Sequence, residues 1–233
     1  FNYNALYEVN LAGIDSIEIL RGPASSLYGS NAIGGTLNFL TKAPSLTPTA
    51  ALGVSSSSEG YRRLEVGASN TFDTAYGEHG LRLSAYASDR GESWQNHAES
   101  NKQSVTLRHD WRISDTTQVK NIASYNHLKA DMTGSLNAND FSKHQGYSYQ
   151  TFTYREVDAT RLSSQLNHSW NEQQKSQMTV YYRDNTTEQN PSYNIRTDVV
   201  SGVPTGTYSG QTTYNAFQSY GLNVQHSANF DPV

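Results

Sequence analysis

The sequence predicts an all-β protein: an antiparallel wall of the transmembrane β-barrel kind, preceded by a short glycine-rich unit. Three observations predict it. Segment after segment alternates apolar and polar residues with period two, as strands with one wet face do. The connections between these segments alternate between short and long, which is the asymmetry of outer-membrane barrels. The chain of 233 residues has 16 tyrosines and a mean hydropathy of −0.69. It holds no run of about 20 apolar residues, so helical spans are excluded. A barrel strand needs only about 9–11 residues, every second one facing lipid.

Composition narrows the class further. A net charge of −4 argues against a nucleic-acid partner, which would want a basic face. The absence of cysteine excludes a disulfide scaffold and thiolate metal sites. The chain opens on Phe1 in mid-pattern and ends on Asp231-Pro232-Val233, so it reads as an internal stretch of a longer precursor.

The first element is Ile14 to Lys42, two short strands around a glycine-dense turn. Ile17, Ile19, Ile33, Leu37 and Phe39 read as buried strand positions. Gly22-Pro23, Tyr28-Gly29 and Gly34-Gly35 mark places where the backbone turns or lets another backbone approach. The segment from Gly29 to Gly34 has Walker-like spacing, but Gly35-Thr36 stands where Lys-Ser/Thr is needed and a strand follows in place of a helix. A nucleotide site is therefore not read here.

The ordered features IEILRGP, LYG, NAIGG and NFLTK resemble the end of the plug domain of TonB-dependent outer-membrane receptors. The resemblance implies a ligand-gated importer. In it a plug sits inside a barrel of about 22 strands, a scarce chelate binds outside, and the TonB complex of the inner membrane drives entry. It implies the domains 1–43 (the C-terminal part of the plug), 44–48 (a proline-bounded linker) and 49–233 (the first strands of the barrel). It also implies that Arg21, with Gly22, Pro23, Tyr28, Gly29, Gly34 and Gly35, forms the plug–barrel contact. A buried arginine would need carboxylate partners there.

The wall is then read strand by strand at about 49–57, 61–71, 79–90, 99–113, 116–128, 152–171, 174–187 and 212–230, eight of the expected set. In one of them Leu81, Leu83, Ala85 and Ala87 share a face opposite Arg82, Ser84, Tyr86 and Ser88. Short connections fall at 113–116 and 171–174, a moderate one at 72–79, and long ones at 129–151 and 188–211. Strand parity puts 55–60, 91–98 and the two long connections on the outside. His109, Trp111, His168, Trp170, His226 and Phe230 recur at the opposite strand ends and read as an aromatic girdle at headgroup level. A shared metal shell for these histidines is disfavoured, because alternate strands lie about 10 Å apart.

The long loops carry the binding expectation. Trp94, Tyr147, Tyr149, Phe152, Tyr154, Arg155, Tyr193, Arg196, Tyr208 and Tyr214 combine aromatic faces with guanidinium donors suited to a large, often anionic chelate. Among them Trp94, Tyr147, Tyr149, Tyr154, Arg155, Tyr193, Arg196 and Tyr208 are the candidate ligand contacts. Asp89, His97, Asp131, Asp140 and His144 show no catalytic spacing, so no enzyme is read. The family's commonest cargo, a ferric siderophore, is the expected ligand, with cobalamin, haem or an oligosaccharide as alternatives and no resident cofactor or metal. Outer-membrane lipids and the TonB complex are the expected partners, and a Gram-negative outer membrane the expected location. A small structural or adhesive barrel is the reading from another class.

Overall fold

The computed structural model describes residues 5–23, 34–91, 93–149, 151–190, 196–200, 203–209 and 211–229. Two 3-10 turns, Ala5–Glu8 and Leu11–Gly13, lead into β1 (Ile14–Arg21) and β2 (Gly35–Thr41), which pair antiparallel as a sheet of their own. The wall follows: β3 (Thr49–Ser56), β4 (Tyr61–Thr74), β5 (Gly77–Arg90), β6 (Ser100–Ser114), β7 (Thr117–Asp131), β8 (Tyr154–Ser169), β9 (Gln174–Asn190) and β12 (Thr213–Ala228). These eight form one sheet in which every pair is antiparallel and each strand neighbours the next in the wall. Among the described residues no helix is long and apolar enough to cross a membrane. The fold is that of part of a plugged barrel.

Strand length explains the connections. β4 runs on to Thr74 and β5 begins at Gly77, so the moderate connection expected at 72–79 shrinks to a two-residue turn. Gly77 makes that turn possible. Its φ is 111°, and a Cβ there would lie 2.2 Å from the carbonyl oxygen of Arg112. The β6–β7 turn is equally tight and the β8–β9 turn takes four residues, whereas the connections after β5, β7 and β9 are long and all leave the same end of the sheet. The 132–153 connection folds a short helix, α1 (Ala138–Lys143), capped by the Asn137 side chain, which accepts from the Asp140 amide. The connection after β9 contains a hairpin, β10 (Arg196–Val200) and β11 (Val203–Ser209). Period-two reading missed it.

Two faces follow from the register. Ser84, Thr106, Ser104 and Asn126 point to the side that carries the plug segment, and their neighbours along each strand point away. The buried residues gather on the plug side and are mostly polar, including Ser104, Asn126, Thr187 and Asn185. The outer face carries exposed Leu52, Val54, Leu107, Leu162, Leu222 and Val224. The expectation of buried positions in the first hairpin is corrected, because Ile17, Ile19 and Leu37 are exposed and Phe39 is only half-buried. A two-stranded sheet has no layer of its own to cover its apolar side chains. Ile33 lies outside the described residues.

Candidate functional site

The site is built from the contact between the plug segment and the wall. Glu8, at the end of the first 3-10 turn, is buried. Its carboxylate accepts from Arg183 Nε at 2.7 Å, from Arg183 Nη2, and from Asn185 Nδ2 at 2.8 Å, while its backbone carbonyl accepts from Asn126 Nδ2 at 2.8 Å. The two charges are thus paired and both carboxylate oxygens are hydrogen-bonded, the condition under which a buried ion pair is tolerated. Asn10 does two things at once. Its Oδ1 caps the second 3-10 turn by accepting from the Ala12 amide, and its Nδ2 donates to Ser84 O at 2.8 Å and Thr106 Oγ1 at 3.2 Å. At the far end of β2, Arg108 Nη1 donates to Thr41 O and Arg82 Nη1 to Ala43 O.

Toward the long-loop end of the same face lies a basic and aromatic patch. Tyr61, Arg63, Tyr86, Arg90, Lys102 and Arg155 share this face by register. The Arg63 guanidinium stacks 4.0 Å from the centre of the Tyr86 ring, and Lys102 Nζ lies 5.8 Å from it. Arg155 Nη1 donates to the Tyr7 hydroxyl at 3.0 Å, so the plug contributes an aromatic group here too. Against four cations, Glu65 is the carboxylate paired within the patch, held by Arg63. The Nε donors of Arg63 and Arg90 are buried without a hydrogen-bond partner. Cationic side chains beside tyrosine faces are fitted to bind a planar, oxygen-rich anion.

The residues expected from sequence fall out as follows. Arg155 belongs to the patch, but as the second residue of β8 and not as a loop residue. Tyr154 is corrected: it faces outward and its hydroxyl bonds Glu188. Tyr214 shares that outer face, directly opposite Glu188. Trp94, Tyr147 and Tyr149 stay in the loops and are drawn together there. The Asn96 amide donates to Gly146 O at 2.8 Å, Tyr147 and Tyr149 meet edge to face at 5.3 Å, and Tyr149 bonds Asp140 and Asn137. The hydrogen bond to the Asp140 carboxylate pushes the Tyr149 phenol above its usual pKa. His97, at φ 57°, ties the same loops, with Nε2 2.6 Å from Thr153 O and Nδ1 3.5 Å from Asp131.

Arg196 and Tyr208 lie on the β10–β11 hairpin, and Tyr193, Tyr28, Gly29 and Phe230 lie outside the described residues. Arg21 is exposed, with its Cα opposite Gly35, and Gly22 N bonds Gly34 O, so these residues end the β1–β2 pairing, with Pro23 next in the chain. Toward the eight described strands, the contact is made instead by Tyr7, Glu8, Asn10, Thr41 and Ala43. No local motif marks these residues; Glu8 and Arg183 become partners only across 175 positions of chain.

At the short-turn end of the outer face, His109 and Trp111 lie beside His79, which stacks on both, and His168 meets Trp170 edge to face at 4.4 Å. Trp111 Nε1 donates to Tyr76 O and Trp170 Nε1 to Ser176 Oγ, which also contacts His226 Nδ1 at 2.9 Å. The apolar ring bodies face out while their polar atoms are satisfied by neighbouring strands.

Comparison with known proteins shows what this architecture is similar to. Residues 1–36 match the TonB-dependent Receptor Plug Domain. The crystal structure of the ferric citrate transporter FecA in the unliganded form superposes with a TM-score of 0.76 at 17% identity, covering 97% of this chain and 33% of that one. The chain resembles part of a TonB-dependent receptor. Its curated relatives include the metal-pseudopaline receptor CntO of Pseudomonas aeruginosa, 31% identical over 108 residues, which are 46% of this chain and 15% of that protein. The iron-regulated outer membrane virulence protein of Vibrio cholerae serotype O1 is 56% identical over 32 residues, 14% of this chain and 5% of that protein. The chain therefore spans about a third of the FecA structure and 15% or less of these two curated relatives.

Proposed function

We propose that the complete receptor imports an anionic metal chelate, a ferric siderophore, across a Gram-negative outer membrane, and that the chelate docks on the basic patch above the plug. The observation that carries this reading is the set of Arg63, Arg90, Lys102 and Arg155 around Tyr7, Tyr61 and Tyr86 on one face of the wall. A chelate rich in carboxylate, catecholate or hydroxamate oxygens supplies the acceptors. In this reading Trp94, Tyr147, Tyr149, Arg196 and Tyr208 belong to the loops that cover the bound ligand. The Glu8–Arg183 contact holds the plug until the TonB complex pulls, and the histidine and tryptophan belt anchors the wall at the lipid headgroups. The protein's work is binding and translocation, with no bond made or broken in the cargo.

The test is equilibrium binding of individual ferric chelates to the full-length receptor, paired with growth of a receptor-deleted strain on each chelate. Arg63→Ala or Lys102→Ala is expected to weaken the cognate chelate about ten- to a hundredfold, the loss of one charge-assisted hydrogen bond of about 1.5–3 kcal/mol. Affinity is also expected to fall with added salt. Growth unaffected on every chelate would sink the siderophore assignment, and salt-independent binding of a neutral sugar would replace it with an oligosaccharide.

A further inference from the structure

On the outer face of the wall, His127, Glu156 and Asp158 each bring one ligand atom to within 4.8 Å of the other two. The backbone dictates this triangle. Glu156 and Asp158 are two apart on β8 and so share a face, and His127 stands directly across from Asp158 in the β7–β8 register. Asn126, next to His127, turns inward to hold the Glu8 carbonyl, which fixes His127 on the opposite face from the plug and from the basic patch.

The surroundings are short of positive charge. Asp158 Oδ1 accepts from His127 Nδ1 at 2.9 Å and from the Tyr125 hydroxyl at 2.8 Å. Glu156 has Lys129 Nζ at 3.6 Å, but it also stands directly opposite Glu188 on β9. Like charges paired across strands destabilise a sheet. Lys129, with 60% of its side chain exposed, screens the pair weakly.

We propose that His127, Glu156 and Asp158 bind a divalent transition-metal ion, forming a clip across β7 and β8 at the foot of the 132–153 connection. One imidazole nitrogen with two carboxylate oxygens is a donor set that zinc accepts, its remaining positions being filled by water. Calcium is a poorer match, since it collects six to eight oxygens and has no use for the imidazole. The ion takes the place of the His127 to Asp158 hydrogen bond and offsets the carboxylates of Glu156 and Glu188. The site lies on the far side of the wall from the basic patch, so it is structural and independent of which cargo the receptor carries.

The test is calorimetric titration of the metal-stripped, full-length receptor in detergent with zinc chloride, with calcium chloride as the comparison. One saturable zinc equivalent is expected, weakened about tenfold or more by His127→Ala and by Asp158→Asn. Zinc should also raise the temperature at which the folded barrel band is lost in electrophoresis, a shift absent from His127→Ala. Glu156→Gln, which leaves the His127 and Tyr125 hydrogen bonds to Asp158 in place, replaces Asp158→Asn if the latter fails to fold. Zinc binding unchanged in both variants overturns the site, as does no saturable binding. Calcium binding as tightly as zinc, and indifferent to His127, overturns it in favour of a diffuse acidic surface.

Discussion

At the residue scale, the plug is held by groups whose importance comes from burial and pairing. The Glu8 side chain keeps 5% of its exposure and Arg183 keeps 22%, so removing one partner leaves the other charge short of water. Breaking a buried pair costs ~3–5 kcal/mol. Because Arg183 retains some solvent, Glu8→Ala is expected near the lower end, seen as faster protease cleavage of the plug in the full-length receptor. Glu8→Gln, which can still accept from Asn185, should fall between wild type and Glu8→Ala. Equal cleavage rates for all three would show that the pair does not hold the plug. The sequence singled out Arg21 because the LRGP element has a recognisable local pattern, and the structure leaves it exposed on the plug's own hairpin. Glu8 and Arg183 have none, since their meaning arises only when a turn near the N-terminus docks on the ninth strand. The same holds for Arg63 and Lys102, whose shared face can be read from alternation but whose convergence on Tyr86 cannot.

At the element scale, the eight wall strands were legible because each keeps apolar and polar residues on opposite faces over many positions, and a one-residue slip would reverse every side chain. The β10–β11 hairpin was not legible. It is short, its alternation is broken by adjacent valines at Val199-Val200, and Pro204 argues against a strand by its missing donor. Turns were misjudged where one residue does the work of several. Gly77 closes β4 onto β5 with a positive φ and a Cβ position already taken by the Arg112 carbonyl. Gly77→Ala is therefore expected to destabilise this hairpin by more than ~1 kcal/mol, lowering the temperature at which the receptor loses its heat-modifiable mobility. An unchanged transition would mean that the turn has another conformation. Gly221→Ala provides a contrast, since the obstruction there is the Tyr181 ring, a side chain able to move, and no positive φ is involved.

At the scale of the whole molecule, the wall has the polarity of a membrane barrel: small and polar side chains pack where the plug sits, and leucines and valines face outward without cover. Within the wall, on strands with a neighbour on either side, Val105, Leu107, Leu162 and Val180 are each more than 40% exposed. So broad an apolar surface on a water-soluble protein would drive association; in a bilayer it is the solvent-matched face. The two faces give opposite expectations for the same substitution. Leu107 lies in the middle of β6 on the outer face, and Leu107→Arg puts a charge into the hydrocarbon at a cost of ~2–4 kcal/mol. Ser163, mid-strand on β8, has the plug-side parity of Arg161, so Ser163→Arg should leave insertion nearly unchanged while crowding the interior. Folding of the full-length receptor into lipid vesicles, followed by denaturant titration, measures both. A large loss for Leu107→Arg with a small one for Ser163→Arg is what a lipid-facing wall requires. Equal losses would mean that the apolar face is covered by protein, and the wall would then have to be redrawn as one layer of a closed core.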